Sequence, residues 1–353
     1  MSTSSKTAPR RNTRASTAGD GHSGAVTLQQ VADRAGVSPS TVSRILNGTA
    51  VVSDDKKKAV DDAIKELGFV PNPVARGLAG GRTLSVGVVT QAIDSPFYGG
   101  AHRGIEDTLV AAGYSPLFIS GHWDTAAEVR CIEVLRSRRV DGLIVLTGRM
   151  SDSALKNLAR QLPIVVTGRD LSAPGVYSLN FDDLHGARLA TEHLLELGHK
   201  RIAFIGGDPL HPDSAQRERG YRQALAAHGV KVDEALLLAG NYQEEGGLQA
   251  IERLLASGAP FTAIFAANDQ MAFGAALALH RRGLRVPHDV SLVGFDDVAT
   301  SSFTVPPLSS VHQPVYELGR LAAMAMLDLL AGRQPDATLP APHMVVREST
   351  AAA

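Results

Sequence analysis

The stretch Val26-Thr-Leu-Gln-Gln-Val-Ala-Asp-Arg-Ala-Gly-Val-Ser-Pro-Ser-Thr-Val-Ser-Arg-Ile-Leu-Asn-Gly48 decides how the N-terminal part of this chain folds. Thr27 stands where a helix needs an N-cap, and Leu28, Val31 and Ala32 follow at i, i+3, i+4 spacing. Gly36 sits where the first helix must stop in a left-handed conformation. Ser38 then caps a second helix, and Pro39 occupies its first position, where a missing N–H costs nothing. Val31, Ala32, Val37, Val42 and Ile45 or Leu46 are apolar at the positions that would pack the two helices together. Ser38, Ser40, Thr41, Ser43, Arg44 and Asn47 are left over for another surface.

Two helices joined by a tight turn can lay the second in a major groove, with its N-terminal side chains on base edges. Arg44 suits a bidentate contact to guanine, and the hydroxyls suit phosphates or bases. Thr27 and Pro39, at the two helix starts, complete the candidate set. A helical hairpin with a solvated polar face would share part of this pattern. A third helix is expected from about Ser53 to Leu67, with Val60, Ile64 and Leu67 inward and Asp54 and Asp55 at its positive end.

Charge supports a nucleic-acid partner. Residues 1–83 hold 12 Lys and Arg against seven Asp and Glu, a balance of +5, so the remainder of a chain of net charge −1 carries −6. A basic head on an acidic body meets a polyanion with one end only. Residues 1–24 are rich in Ser, Thr, Ala and Arg and lack the apolar core of a secretory signal, so they read as a disordered tail. Lys6, Arg10, Arg11 and Arg14 in it are available to phosphates. At 353 residues, 44% hydrophobic and 20% charged, the chain is large enough for two or three packed units. Cys131 is the only cysteine, which forbids an internal disulfide and fits a reducing cytoplasm. No apolar run reaches the ~18–20 residues of a membrane span.

From Leu84 the pattern changes. The β-rich runs 84–90, 142–147, 164–168, 201–206, 263–267 and 291–295 alternate with amphipathic helices. That alternation implies βαβ units and parallel sheets covered on both faces. About 270 residues is long for one doubly wound sheet, so two similar lobes with a cleft between them are expected. Ligands of such sheets sit outside the carboxyl ends of the strands. Those ends carry Phe97, Arg169, His211, Asn268 and Asp296, the helix after the fourth strand carries Arg217, and Tyr242 lies on a loop between lobes. No strand leads into a G-x-G-x-x-G turn, and no nucleophile–base pair or metal-spaced His/Cys cluster stands out. The chain is therefore not read as an enzyme, and neither cofactor nor metal is expected. His199 reads as a turn residue.

The segments Thr27-Leu28, Val31-Ala32, Ala35-Gly36-Val37-Ser38 and Thr41-Val42-Ser43-Arg44 resemble the headpiece of the lactose/galactose-repressor (LacI/GalR) family. The stretch from Leu67 through Asn72-Pro73-Val74-Ala75-Arg76-Gly77-Leu78 looks like that family's hinge, and the resemblance continues to about Arg347. It implies an α helix-turn-helix headpiece followed by an α/β core of two doubly wound parallel-sheet lobes, of periplasmic-binding-protein type. The units would be a tail at 1–24, a DNA-binding domain at 25–67, a hinge helix and linker at 68–83 and an effector core at 84–353. Within the core, one lobe would take about 84–181 and 314–341, the other about 182–310 and 342–350.

Asn72 can cap a hinge helix and Pro73 can start it, but only about eight residues remain before Gly80-Gly81, too few for a stable isolated helix. Gly77 weakens it by a further ~1 kcal/mol. Folding on DNA is expected. The resemblance implies that two such helices meet in the minor groove, with Asn72 and Ala75 in the contact and Leu78 wedged between base steps. Packing of Leu78 into the core is the alternative.

The resemblance also implies that Arg217, Asn268, Asp296 and Tyr242 are pocket residues, with Phe97 near the first-lobe wall. An aromatic face, an arginine, an amide and a carboxylate suit a monosaccharide or related polyol. A sugar acid or phosphate stays open because Arg169, Arg217 and His211 add positive charge. Asn268 and Asp296 also fit simple turn or cap roles. The expected activity is repression of a carbohydrate catabolic operon, by a cytoplasmic, nucleoid-associated homodimer on a palindromic operator. Induction and co-repression are both compatible with the sequence. The C-terminus lacks the leucine heptads of a coiled-coil tetramer.

Overall fold

The computed structural model describes residues 26–46, 52–70 and 82–353, and the chain divides into two compact units between residues 80 and 81. In the first unit, α1 (Leu28–Ala35), α2 (Pro39–Leu46) and α3 (Asp54–Leu67) enclose a small core. Thr27 opens α1 with a full capping box: its hydroxyl accepts from the Gln30 N–H, and the Gln30 side chain accepts from the Thr27 N–H at 2.7 Å. Gly36 ends α1 at φ 66°, where a side chain would be strained. Val31, Ala32, Val42, Val60, Ala63 and Phe69 are buried together, with Leu28, Val37, Ile45, Ile64 and Leu67 half-buried around them. The inward face of α3 carries Val60, Ile64 and Leu67, with Ala63 buried beside them.

The second unit holds two sheets. The first, in the order β2-β1-β3-β4-β5, is all parallel and uses β1 (Ser85–Thr90), β2 (Ser115–Ser120), β3 (Gly142–Leu146), β4 (Ile164–Thr167) and β5 (Val176–Leu179). Helices α4 (Pro96–Ala111), α5 (Thr125–Ser137) and α6 (Asp152–Ala159) connect them. The second sheet runs β11-β10-β9-β8-β6-β7, from β6 (Ile202–Gly206), β7 (Leu237–Ala239), β8 (Ala263–Ala266), β9 (Ser291–Asp296), β10 (Ser309–His312) and β11 (His343–Val345). Only β11 is antiparallel to its neighbour. Its helices are α7 (Asp183–Glu196), α8 (Pro212–Ala227), α9 (Glu244–Ser257) and α10 (Asp269–Arg281).

After β10 the chain returns to the first lobe as α11 (Val315–Leu330), which packs along α4 and over β3 and β4. Two glycines permit that approach: a Cβ on Gly104 would lie 2.2 Å from the Tyr316 carbonyl oxygen, and one on Gly319 would lie 2.0 Å from that of Ala101. The chain then crosses once more to supply β11.

Five strands were not legible as apolar runs: β2, β5, β7, β10 and β11. Four of them are sheet edges, where one side faces solvent and Pro116 is tolerated. The fifth, β10, is internal but reads Ser-Ser-Val-His, because its serines are buried as hydrogen-bonding groups. The Ser310 hydroxyl donates to Asp269 Oδ1 at 2.6 Å.

Asp269, fully buried at the start of α10, ties three segments together. It accepts from the Ser310 hydroxyl, from the Ser301 hydroxyl at 2.6 Å and from the Val298 N–H at 2.9 Å. Burial pushes its pKa up to about 7, against these three donors, which favour the ionised form. The folded state thus holds a proton that the unfolded chain releases near pH 3.9. The stability this contributes is complete below that value and falls by at most ~1.4 kcal/mol per pH unit as pH rises toward 7. We predict that urea unfolding at pH 4.5 to 7 shows this downward slope in the parent relative to Asp269→Asn. Parallel stability profiles for the two proteins would remove the assignment.

Candidate functional site

In the first unit, the start of α2 is ringed by hydroxyl groups. The Ser38 hydroxyl accepts from the Thr41 N–H at 3.2 Å and shares hydrogen bonds with the hydroxyls of Ser40, at 2.9 Å, and Thr41, at 2.8 Å. Ser40 and Arg44 are exposed on α2, while Pro39, Thr41 and Ser43 are half-buried on it. The helix therefore presents hydroxyls near its positive end and a guanidinium one turn later, the residue types that meet phosphates and base edges. Thr27 is exposed, but its hydroxyl is already engaged in the capping box. Asn47, Asn72, Ala75 and Leu78 lie outside the described residues, as does the 1–24 tail.

The second unit carries a cavity between its two sheets, at the carboxyl ends of the strands. Phe97 and Tyr98 reach it from the start of α4, Thr147 from the end of β3, and Thr167 and Gly168 from the end of β4. Asp183, Asp208, His211, Asp213, Arg217, Tyr242, Asn268 and Asp296 complete the opposite wall. Five of the six expected effector residues are thereby brought together.

Arg217 is at the centre, with a side chain only 4% exposed. Both Nε and Nη2 lie 2.9 Å from Asp183 Oδ1, the Asp213 carboxylate is at 3.6 Å and Asp296 Oδ1 is at 3.6 Å. Nη1 also donates to the Ala267 carbonyl, and the guanidinium carbon lies 4.0 Å from the centre of the Phe295 ring. Three carboxylates around one cation raise the Arg217 pKa despite its burial. Burial in turn pushes the pKa values of Asp183 and Asp296 upward, with Arg217 opposing.

Asp296 ends β9 at φ 100°, and Asp297 follows at φ 55°. Two successive non-glycine residues in left-handed backbone cost on the order of 1–3 kcal/mol each and persist only where neighbours enforce them. Here the Asp297 N–H donates to Ser310 Oγ at 3.1 Å, and Arg347 pairs with the Asp297 side chain at 2.7 Å. The bend turns Asp296 into the cavity, where its protein contacts are long: Arg217 at 3.6 Å and Gln313 Nε2 at 3.4 Å.

Tyr242, also at positive φ, lies along the wall beside His211, with ring centres 5.2 Å apart, and its buried hydroxyl has no protein partner. Asn268 lines the cavity, but its amide is committed to structure. Oδ1 caps α10 through the Met271 N–H at 2.9 Å, and Nδ2 donates to the Tyr242 carbonyl at 3.0 Å. It positions Tyr242 while retaining the cap role that its sequence context also suggested.

Arg169 needs correction. It is absent from the cavity lining, because its guanidinium turns back onto the preceding loop. There it donates to the carbonyls of Met150, at 2.6 Å, and Gly148, and pairs with Asp152 at 3.2 Å. Among residues that the sequence reading passed over, Asp213 was findable, since it precedes Arg217 by four on one helix face. Asp183 and Trp123 lacked such a signal, because they follow the unrecognised strands β5 and β2, whereas Thr147 ends the recognised run 142–147 and was open to the strand-end argument. Among the described residues, no group of three or more His, Cys, Asp or Glu could hold a metal ion, and no helix is long and apolar enough to cross a membrane.

Residues 27–72 match the family model for bacterial regulatory proteins of the lacI family, and residues 191–350 match that for a periplasmic binding protein-like domain. The chain is 37% identical over 332 residues to the HTH-type transcriptional regulator DegA of Bacillus subtilis (strain 168), covering 92% of this chain and 98% of that one. It is 37% identical over 333 residues to the HTH-type transcriptional regulator CelR of Thermobifida fusca, with the same coverage. The lac repressor dimer bound to operator and the anti-inducer ONPF superposes with a TM-score of 0.84 at 31% identity, covering 93% of this chain and 100% of that chain. A CelR–cellobiose complex superposes with a TM-score of 0.70 at 35% identity, covering 92% and 99%.

Two substitutions test the two sites separately. Arg44→Ala should reduce discrimination between matched and mismatched duplexes by ~1–3 kcal/mol in competition binding, with effector binding unchanged. Arg217→Met leaves three carboxylates facing one another and should lower stability by roughly 3–5 kcal/mol in denaturant unfolding. A variant as stable as the parent would show that Arg217 does not neutralise the group.

Proposed function

We propose that this chain, which belongs to the lacI family of bacterial regulatory proteins and is a sequence-specific DNA-binding transcriptional regulator, is a homodimeric repressor whose effector is a neutral sugar or related polyol. The observation that carries the effector class is the charge of the cavity wall. Asp183, Asp208, Asp213 and Asp296 line it together with a single arginine, Arg217. Arg149 offsets Asp208 from outside the lining, at 2.9 Å. A wall whose one guanidinium is already surrounded by three carboxyl groups offers, among the described residues, no free cation to a phosphate or carboxylate. It favours hydroxyl groups, which donate to carboxylate oxygens, while the faces of Phe97, Phe181 and Tyr242 suit the C–H face of a sugar ring. This reading removes the sugar acid or phosphate alternative, whose case rested partly on Arg169.

The CelR–cellobiose complex places a neutral sugar in a relative of the same fold, which supports the reading. One helix-turn-helix reads one half-site, so the partner DNA is a palindromic operator met by two copies of the chain. The site of action is the cytoplasm, on the nucleoid. Effector and operator affinities are linked: the factor by which one ligand changes the other's affinity is reciprocal.

Thermal unfolding with cellobiose, glucose, gluconate and glucose 6-phosphate tests the effector class. A neutral sugar present at a hundred times its dissociation constant should add about 2.7 kcal/mol of stability. Asp296→Asn should abolish that gain while operator binding persists. Stabilisation by the two anions alone would overturn the neutral-polyol reading.

A further inference from the structure

Four side chains meet across the mouth of the cavity, two from each lobe, and none of them belongs to the Arg217 cluster. Trp123 comes from the loop after β2 and Arg149 from the loop after β3, while Asp208 and His211 come from the loop between β6 and α8. The Trp123 and His211 rings are stacked, with centres 3.6 Å apart and planes 25° apart. Arg149 Nη2 lies 2.9 Å from Asp208 Oδ2. We propose that these two contacts form a latch that holds the lobes together and gates access to the effector cavity.

Each half of the latch is held in place by its own lobe. His122 and Trp123 are both in left-handed backbone, at φ 52° and 56°. That strained turn is fixed by Gln91, whose main-chain carbonyl accepts from the His122 N–H at 3.1 Å and whose side-chain oxygen accepts from the Trp123 N–H at 2.9 Å. Strain of this kind concentrates at functional positions, and here its visible product is the aim of the Trp123 ring. The loop bearing Arg149 is pinned by a buried carboxylate: Glu128, 1% exposed, accepts from the N–H groups of Arg149, at 2.8 Å, and Met150, at 2.9 Å. On the other side, Asp208 accepts from the Leu210 N–H through Oδ1 at 2.9 Å, which leaves Oδ2 facing Arg149. The His211 N–H donates to the Asp208 carbonyl at 2.9 Å, so the ring and the carboxylate move as one piece.

The two contacts complement each other chemically. Stacked rings exclude water from the mouth, and an ion pair beside them is strengthened by that exclusion. The His211 imidazole also lies between Trp123 and Tyr242, so the row of three rings runs from one lobe across the mouth to the cavity wall. Opening the lobes breaks the first pair of rings and the ion pair together, while the His211–Tyr242 contact stays within its own lobe.

Trp123 is the chain's one tryptophan, so its fluorescence reports the latch in the full-length protein without a ligand. Acrylamide serves as the probe of access. In the parent its quenching of Trp123 should be weak. Arg149→Met and Asp208→Asn, acting from opposite lobes, should each raise the quenching constant at least twofold at unchanged helix content. The double variant should be no more accessible than either single one, because both remove the same contact. His211→Leu should shift Trp123 emission without altering the secondary structure. Quenching in the folded Arg149→Met and Asp208→Asn variants equal to the parent's, or additive effects in the double variant, would overturn the latch.

Discussion

A guanidinium keeps its charge wherever a protein puts it, so a buried arginine has to be met by opposite charge and hydrogen-bond acceptors where it lies. Arg217 imposes that condition on the core. It draws Asp183 from the start of α7, Asp213 from its own helix, Asp296 from the end of β9, and the carbonyl of Ala267 that follows β8. Four elements of one lobe are thereby registered against one another at the cavity wall. Three carboxyl groups therefore share one guanidinium at the cavity wall, and the neutral-polyol effector proposed above rests on that excess of acidic groups.

The headpiece was legible in the sequence because its signals are local. Caps, a stop glycine and helical periodicity all act within a few residues, and Thr27, Gly36 and Ser38 perform the roles their positions suggest. The lobes were legible through their central strands, which are buried on both faces and read as unbroken apolar runs. Edge strands and β10 escaped because burial there is one-sided or is satisfied by serine hydroxyls.

The cavity was partly legible. Phe97 stands at the start of α4 and Arg217 within α8, while Tyr242, Asn268 and Asp296 stand at strand ends or on connecting loops that reach the cavity. Arg169 stands at such an end too, but the direction of a long side chain depends on which acceptors lie near it, and the carbonyls of Gly148 and Met150 are nearer than the cavity. Asn268 shows the complementary limit. Its position was readable, yet its amide faces α10 and Tyr242, because an asparagine that caps a helix has little left to offer a guest. Trp123 could not be placed at all from spacing, since its ring is aimed by two left-handed residues that only Gln91 explains.

The return of the chain through both lobes has a consequence for biosynthesis. α11, at 315–330, covers the first sheet, whose strands end at residue 179, and β11, at 343–345, supplies an edge of the second. Chains emerge from the ribosome in order, and domains ordinarily close as they appear. Here the first lobe to be synthesised waits for more than a hundred later residues before its apolar face is covered, and the second waits for the last strand. The nascent chain therefore carries exposed apolar surface from the synthesis of β5 until α11 has emerged, and the two lobes are completed in close succession, by α11 and then by β11.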